Sequence, residues 1–421
     1  MKTNHIIQRN LAALALLALS TLNSLPRRNR VKAGQRLAKG ACLMALALLS
    51  TLNSQLSTCF AQGSLTPPGS PAPTMKTADQ IEPRTIVNAV NTPGNSQNMF
   101  IITQPGSYYL TTNLVGVSGK NGIKIVTNNV TLDLNGFVLQ GMSGSYSGID
   151  IPGAQTNITV RNGSISGWGS DGLESDSSSS VNMVFERLNV SDTGAGILIE
   201  GVGVVRDCNC QNNVFAGIAC YGVGIISGCT ADNNYNGISI GSGTVSGCTA
   251  DNNEDGITVN SGTVSGCTAN NNDGDGINVS SGTVSGCTAD NNYIGISIGS
   301  GTVSGCNVYG NAMEGIAVTA DSKVIGNTCV GNGAQVTGPP AILIGGSNNR
   351  VEDNHCAANG TIGILVGNGS SDTNNIIIKN SVSGNGANNY VVPGAQIVGP
   401  IITNTVSGII TNSNPWANFS F

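Results

Sequence analysis

The sequence is poor in charge, in aromatic rings and in histidine. Asp, Glu, Lys and Arg make up 10% of 421 residues, and Phe, Trp and Tyr 4%. The two histidines are His5 and His355. A chain with few stacking rings and 23 acidic against 18 basic residues lacks the footprint of a nucleic-acid binder, and no nucleic-acid partner is expected. No apolar run is long enough to span a bilayer, so no transmembrane segment is expected. Glycine is abundant, at 58 residues, but without the three-residue period of collagen. Apolar residues at helical spacing are missing. Leucine is scarce where the sequence repeats, which argues against leucine-rich repeats.

What is present is a near-perfect repeat between Ser227 and Cys306. SGTVSGCTADNN from Ser242 returns as SGTVSGCTANNN from Ser261 and SGTVSGCTADNN from Ser281. Cys229, Cys248, Cys267, Cys287 and Cys306 recur every 19 or 20 residues, the period of a stacked solenoid. Within each repeat apolar residues alternate, as in Ile238-Ser239-Ile240 and Ile257-Thr258-Val259, and a period of two means strand. Gly and Asp-Asn-Asn separate the strands and tolerate the left-handed backbone that sharp corners need. Each repeat is therefore one coil of two or three short strands, pairing with its copy about 4.8 Å along the axis. The fold class is all-β, a single right-handed parallel β-helix of about twelve coils. A Gly-Ile marker at Ile123, Ile149, Ile197, Ile218, Ile238, Ile257, Ile277, Ile296, Ile316 and Ile364, with Leu173 and Ile342 in the same role, counts those coils.

Along the chain, residues 1–61 read as an export leader. They hold eight Lys and Arg and no acid, an apolar run from Ala41 to Leu49, and small residues before a cut at Gln62. Residues 62–74 are a Pro/Gly/Ser-rich linker, 75–121 an N-terminal cap with the first strands, 122–413 the β-helix and 414–421 a C-terminal cap. Without the leader, ten Lys and Arg face 23 Asp and Glu. The reading is a secreted or cell-surface monomer whose partner is a polysaccharide or the cell envelope.

PGSYYLTTNL, NGIKI followed by VTLDLNGF, ITVRNGSISGWGSDG and NPWANF carry a resemblance. They are similar to a family of secreted bacterial right-handed parallel β-helix proteins with the pectin-lyase-like fold. The resemblance covers roughly residues 75–421 and implies the fold. Better-known relatives include lyases, polygalacturonases, epimerases and adhesive β-helices, so it implies no single activity.

The pectate-lyase and polygalacturonase motifs are absent: there is no Asp-His pair, no Gly-His-Gly and no Arg-x-Pro-x-x-Arg. In enzymes of this fold the site lies on the outward face of one strand column. Here the column after the marker is bland except in its first coils, where Lys124, Asp150 and Glu174 stand one above the next, with Arg161 and Trp168 on neighbouring segments. Two carboxylates one coil apart couple their protonation, and their separation resembles a retaining glycosidase pair. These three are the catalytic candidates; the bland alternative is a surface charge ladder. Trp168, Tyr146, Tyr235 and Tyr293 are the carbohydrate-stacking candidates; Phe215 joins the three tyrosines two residues before a marker glycine, where such rings otherwise shield the turn. No cofactor is required. Calcium is the one metal that the acidic turns could take, at Glu254, Asp255, Asp273 and Asp275, although Gly282 stands where an EF-hand needs its last acid. The favoured reading is a structural or carbohydrate-contacting scaffold, with a polysaccharide lyase or glycosidase as the alternative.

Two structural expectations follow from stacking. The cysteines should form buried ladders of free thiols, since parallel strands in register lack the geometry a disulfide prefers. Asp133, Arg161, Glu186 and Arg206 should alternate in sign on one outward column, with Arg187 meeting Asp207 and Asp353 over Lys379, to fix the register.

Overall fold

The computed structural model describes residues 83–333, 338–367, 372–403 and 412–421. The leader 1–61 and linker 62–74 lie outside them. All named strands pair in parallel, and no helix occurs among the described residues. They form three sheets that wind into about fifteen turns of a right-handed parallel β-helix. The first sheet runs from Asn98–Ile102 through Asn121–Ile125 and Ile149–Ile151 to Asn388–Val391. The second runs from Thr85–Ile86 through Val130–Asp133 to Ile397–Val398. The third runs from Leu114–Val115 through Val138–Gln140 to Asn418–Ser420. Twelve coils carry the marker, ten as Gly-Ile and two with Leu173 and Ile342 in the same column. The outer turns fold the same way without it, with Phe100 over Ile123 and Tyr390 over Ile364.

Stacking in register puts each apolar residue on its own copy. Ile238, Ile257, Ile277 and Ile296 form one unbroken, fully buried column. Full burial of such a side chain is worth about 1.5–3 kcal/mol. The corners are set by backbone geometry. Between the second and third sheets, Gly228, Gly247, Gly266, Gly286 and Gly305 all have φ near +60°; in flanking coils Asn162, Arg187, Asp207, Asp353 and Lys379 take the same conformation. At the next corner the first Asn of each pair, such as Asn252 and Asn271, is left-handed.

The second Asn of each pair is buried and forms a ladder. Asn253 Nδ2 donates to Asn272 Oδ1 at 3.1 Å, and Asn272 Nδ2 to Asn292 Oδ1 at 2.8 Å. Each Oδ1 also accepts a backbone N–H from the coil before, and each Nδ2 reaches a backbone carbonyl. The ladder runs from Asn213 to Asn385, so an amide side chain satisfies the polar backbone at a corner that no strand pairs.

Cys208, Cys229, Cys248, Cys267, Cys287 and Cys306 line the corner between the second and third sheets, all buried and free. The column passes to a second asparagine ladder, Asn327, Asn354, Asn380 and Asn418, beginning where the Cys306 N–H donates to Asn327 Oδ1. Cys210, Cys329 and Cys356 share a column of the third sheet. Burial pushes Cys210 well up and Cys220 up to about 11, which keeps them protonated and unreactive.

The outward charge column is Asp133, Arg161, Glu186, Arg206, in register as expected. Two of the expected pairs are different. Arg187 turns to Glu186 at 2.5 Å and to Asn162, not to Asp207; Lys379 bonds Glu352 at 2.7 Å, not Asp353. Arg187, Asp207, Asp353 and Lys379 all sit on the left-handed corner, where the chain leaves the flat sheet and side chains no longer project straight over their sequence partners. Near the C-terminus, Trp416 is half-exposed with Lys379 Nζ 5.0 Å from its ring centre, and Asn418–Ser420 adds a strand to the third sheet.

Two outcomes are expected. Asn272→Leu orphans buried donors and acceptors in the coils on either side, each costing about 1–3 kcal/mol, which urea unfolding would register as a lowered midpoint. An unshifted midpoint would mean that the amide ladder contributes nothing. Alkylation of the unreduced protein followed by mass spectrometry should label Cys208 through Cys356 only once the chain is denatured; labelling that needs prior reduction would reveal disulfides and contradict the ladder of thiols.

Candidate functional site

Lys124, Asp150 and Glu174 do stand in consecutive coils on the outer face of the first sheet. The alternation that turns Ile123, Ile149 and Leu173 inward turns these three outward. Lys124 Nζ lies 2.9 Å from Asp150 Oδ2, which also accepts from Asn121 Nδ2 at 3.0 Å. The Ser147 hydroxyl donates to Glu174 Oε2 at 3.0 Å, and the Ser147 N–H donates to Asn121 Oδ1. Asn121 and Ser147 thus tie the carboxylates together from the turn before the strand, roles that the sequence reading did not assign. Each lies two residues before its marker isoleucine, the only signal available.

Burial raises the carboxyl of Glu174. The Ser147 hydroxyl pulls it back down, and Asp171, Asp150 and Asp176 push it up again. Asp171 accepts the Ala195 N–H at 2.6 Å and Asp176 the Gly153 N–H at 2.8 Å, so both are corner caps. Chemically, the cluster holds a carboxyl raised above its ordinary value beside a second carboxyl group paired with an ammonium.

Arg161 and Trp168 do not join it. Arg161 is on the second sheet, 3.2 Å from Asp133. Trp168 is 2% exposed and donates from Nε1 to Leu139 O at 3.1 Å. Its ring fills space left by stacked glycines: a Cβ on Gly122 would come within 2.8 Å of the ring, and one on Gly148 within 3.1 Å. Trp168 is a core residue and offers no face to a sugar.

Tyr146, Phe215, Tyr235 and Tyr293 are each about half-exposed or more, at the turn that precedes the first sheet. Phe215 and Tyr235 stand in successive coils, where the Asn236 N–H donates to Phe215 O and the Asp255 N–H to Tyr235 O. Tyr146 and Tyr293 lie several coils away on the same edge.

The acids proposed for calcium do not converge. Asp255 and Asp275 meet in adjacent coils, with the Asp275 N–H donating to Asp255 Oδ1 at 3.1 Å. Glu254 precedes the strand in the coil of Asp255, and Asp273 is the extra residue of a 20-residue coil. Among the described residues no three His, Cys, Asp or Glu side chains are grouped to hold a metal. His355 is exposed at the edge of the third sheet, beside Thr328 and Ser381.

Residues 195–334 match the family described as "Right handed beta helix region". No curated protein matches the sequence. Among solved structures, the chain is similar to the A-module of mannuronan C-5 epimerase AlgE4 from Azotobacter vinelandii: TM-score 0.44 and 16% identity, covering 70% of this chain and 91% of that one. It is also similar to the Dettilon tailspike protein (TM-score 0.41, 17% identity, 69% and 60%) and to the periplasmic alginate epimerase AlgG (0.29, 13%, 79% and 80%). No helix among the described residues is long and apolar enough to cross a membrane.

The stacked pair Asp255 and Asp275 predicts a pH effect. Burial, then the charge of Asp255, pushes the Asp275 carboxyl up to about 6 from an ordinary 3.8; the Asn278 amide pulls down and Glu314 up. Between those values the folded chain keeps a proton that the unfolded chain has lost, so stability falls as pH rises through this window. Asp275→Asn should raise the melting temperature at neutral pH and not at pH 4, measured by calorimetry. An equal effect at both would assign the gain to packing.

Proposed function

We propose that this right-handed parallel β-helix protein is an exported surface scaffold that contacts carbohydrate and does not turn it over. One observation carries the reading: the exposed rings Phe215 and Tyr235 are presented in adjacent coils on a rigid edge, among outward rows of hydroxyl and amide side chains. Aromatic faces on a fixed backbone stack on sugar rings at little entropic cost. The central coils repeat without an irregular place where reactive groups gather, which suits a lengthened scaffold.

A second reading keeps Lys124, Asp150 and Glu174 as the centre of a polysaccharide lyase or glycosidase. The raised carboxyl of Glu174 next to Asp150 favours it, because two carboxyl groups in unlike surroundings divide acid and base roles. Incubation with a panel of neutral and acidic polysaccharides, with and without calcium, tests both. Retention of glycan with no new reducing ends or unsaturated products, weakened several-fold by Tyr235→Ala, is the expected result. Product formation abolished by Glu174→Gln would replace the scaffold reading with the enzyme.

A further inference from the structure

Hydroxyl side chains are the rule on the middle outward column of the second sheet, and three successive coils break it. That column runs Thr159, Val184, Val204, Ile225, Thr244 in register, and continues as threonine to Thr302. Beside it Val202 stacks on Val223, and the next coil has Ser242. Val202, Val223 and Ile225 are 40%, 48% and 51% exposed. The strand does not require the change, because threonine is β-branched like valine and serves a sheet as well. Apolar side chains grouped in water over three coils mark a contact surface.

The two ends of these coils differ in chemistry. The corner before the strand carries an acid, Asp176 in one coil and Glu200 in the next, and neither has a cation partner among the described residues. The corner after the strand carries Arg187 and Arg206, both half-exposed, around Glu186. With Asp207 that cluster is balanced in charge. Arg206 nevertheless spends only Nε and Nη2 on Glu186, and its Nη1 has no partner among the described residues. A strip with an acid at one end, a free guanidinium donor at the other and valines between is complementary to itself. A two-fold axis parallel to the helix axis sets each coil against the same coil of a second copy, with its strand reversed. Glu200 then faces Arg206 of the second copy, Asp176 faces Arg187, and Val202 faces Val204. Both copies have the same coil spacing, so the match holds along the whole face. From Thr131 to Thr302 that face is nine coils high. At about 4.8 Å per coil and about 16 Å per strand it covers about 700 Å² in plan, against about 800 Å² per partner in a standard interface. An apolar centre with a hydroxyl rim is the usual composition of such a contact.

We infer that the outward face of the second sheet is a homodimer interface, with two copies side by side, helix axes parallel and second sheets face to face. A dimer departs from the monomer expected from the sequence, and it is independent of carbohydrate contact. The corner that bears Phe215 and Tyr235 lies between the third and first sheets, opposite the second, and stays open in both copies. So does the Lys124 cluster on the first sheet.

Equilibrium sedimentation of the full chain should show a dimer with a dissociation constant of about 10 µM or tighter. Val204→Thr with Ile225→Thr installs the residue that neighbouring coils carry in the same column, so the fold is kept, and an unchanged melting temperature checks that. This pair should weaken the dimer at least about tenfold, a loss of about 1.4 kcal/mol. Glu200→Lys sets like charges against Arg206 of the second copy and should weaken the dimer more in low salt than in molar salt. Val204→Cys should be cross-linked into a dimer by a bismaleimide spanning about 10 Å, the distance between packed sheets. Ser239→Cys, on the outer face of the first sheet, should not be cross-linked. A monomer at every concentration, or a trimer or larger assembly, overturns the inference. So does a dimer that is indifferent to the threonine pair, that Val204→Cys fails to cross-link, or that Ser239→Cys cross-links.

Discussion

Every strand residue in this fold meets the residue at the same place one coil away, and in the central repeats that residue is its own copy. Parallel pairing in register fixes that spacing at about 4.8 Å, and side-chain chemistry decides whether identity is tolerable at such a distance. Isoleucine and valine gain from it, as in the columns through Ile257 and Val264. Asparagine gains more, because it is both donor and acceptor and can bond to an identical neighbour indefinitely. Cysteine is accepted as a small apolar group. Charge is not, and Lys, Arg, Asp and Glu consequently make up only 10% of the sequence.

Where charge does occur, the stack handles it in two ways. On the second sheet the sign alternates from coil to coil, and the carboxylates sink between flanking cations. On the first sheet Asp150 and Glu174 stand like on like, and so do Asp255 and Asp275. The cost appears as raised carboxyls at Glu174 and Asp275. At the first pair a lysine, an asparagine and a serine surround the carboxylates; at the second a single asparagine does so. That difference is why the first pair alone retains an enzymatic reading.

The fold was legible in the sequence because a β-helix writes its geometry as a period. Cys229 to Cys306 fixed the coil length, and the residue after each marker isoleucine fell on the outer face in every marked coil. The outermost turns were harder to see. Phe100 and Tyr390 fill the marker column without a Gly-Ile pair, since the ends are shaped by capping and not by repetition. Trp168 was misplaced because a ring's position depends on glycines in other coils, Gly122 and Gly148, whose missing side chains leave the hole it occupies. Arg187 and Lys379 were assigned the wrong partners because a left-handed corner turns a side chain off its column. The break in the threonine column at Val184, Val204 and Ile225 emerges only after three sheets are assigned, a step that periodicity of one column does not supply.

In-register stacking is most directly tested by removing whole and partial coils. Deletion of residues 249–267 joins Cys248 to Thr268 and keeps every column continuous. That protein should fold with an intact cooperative transition and native far-ultraviolet circular dichroism. Deletion of residues 249–258 removes one coil's third-sheet strand, its ladder asparagine Asn253 and most of its first-sheet strand but keeps its second-sheet strand, so the columns fall out of step, and it should abolish the cooperative transition. Equal tolerance of both deletions, or loss of the fold in both, would contradict the account.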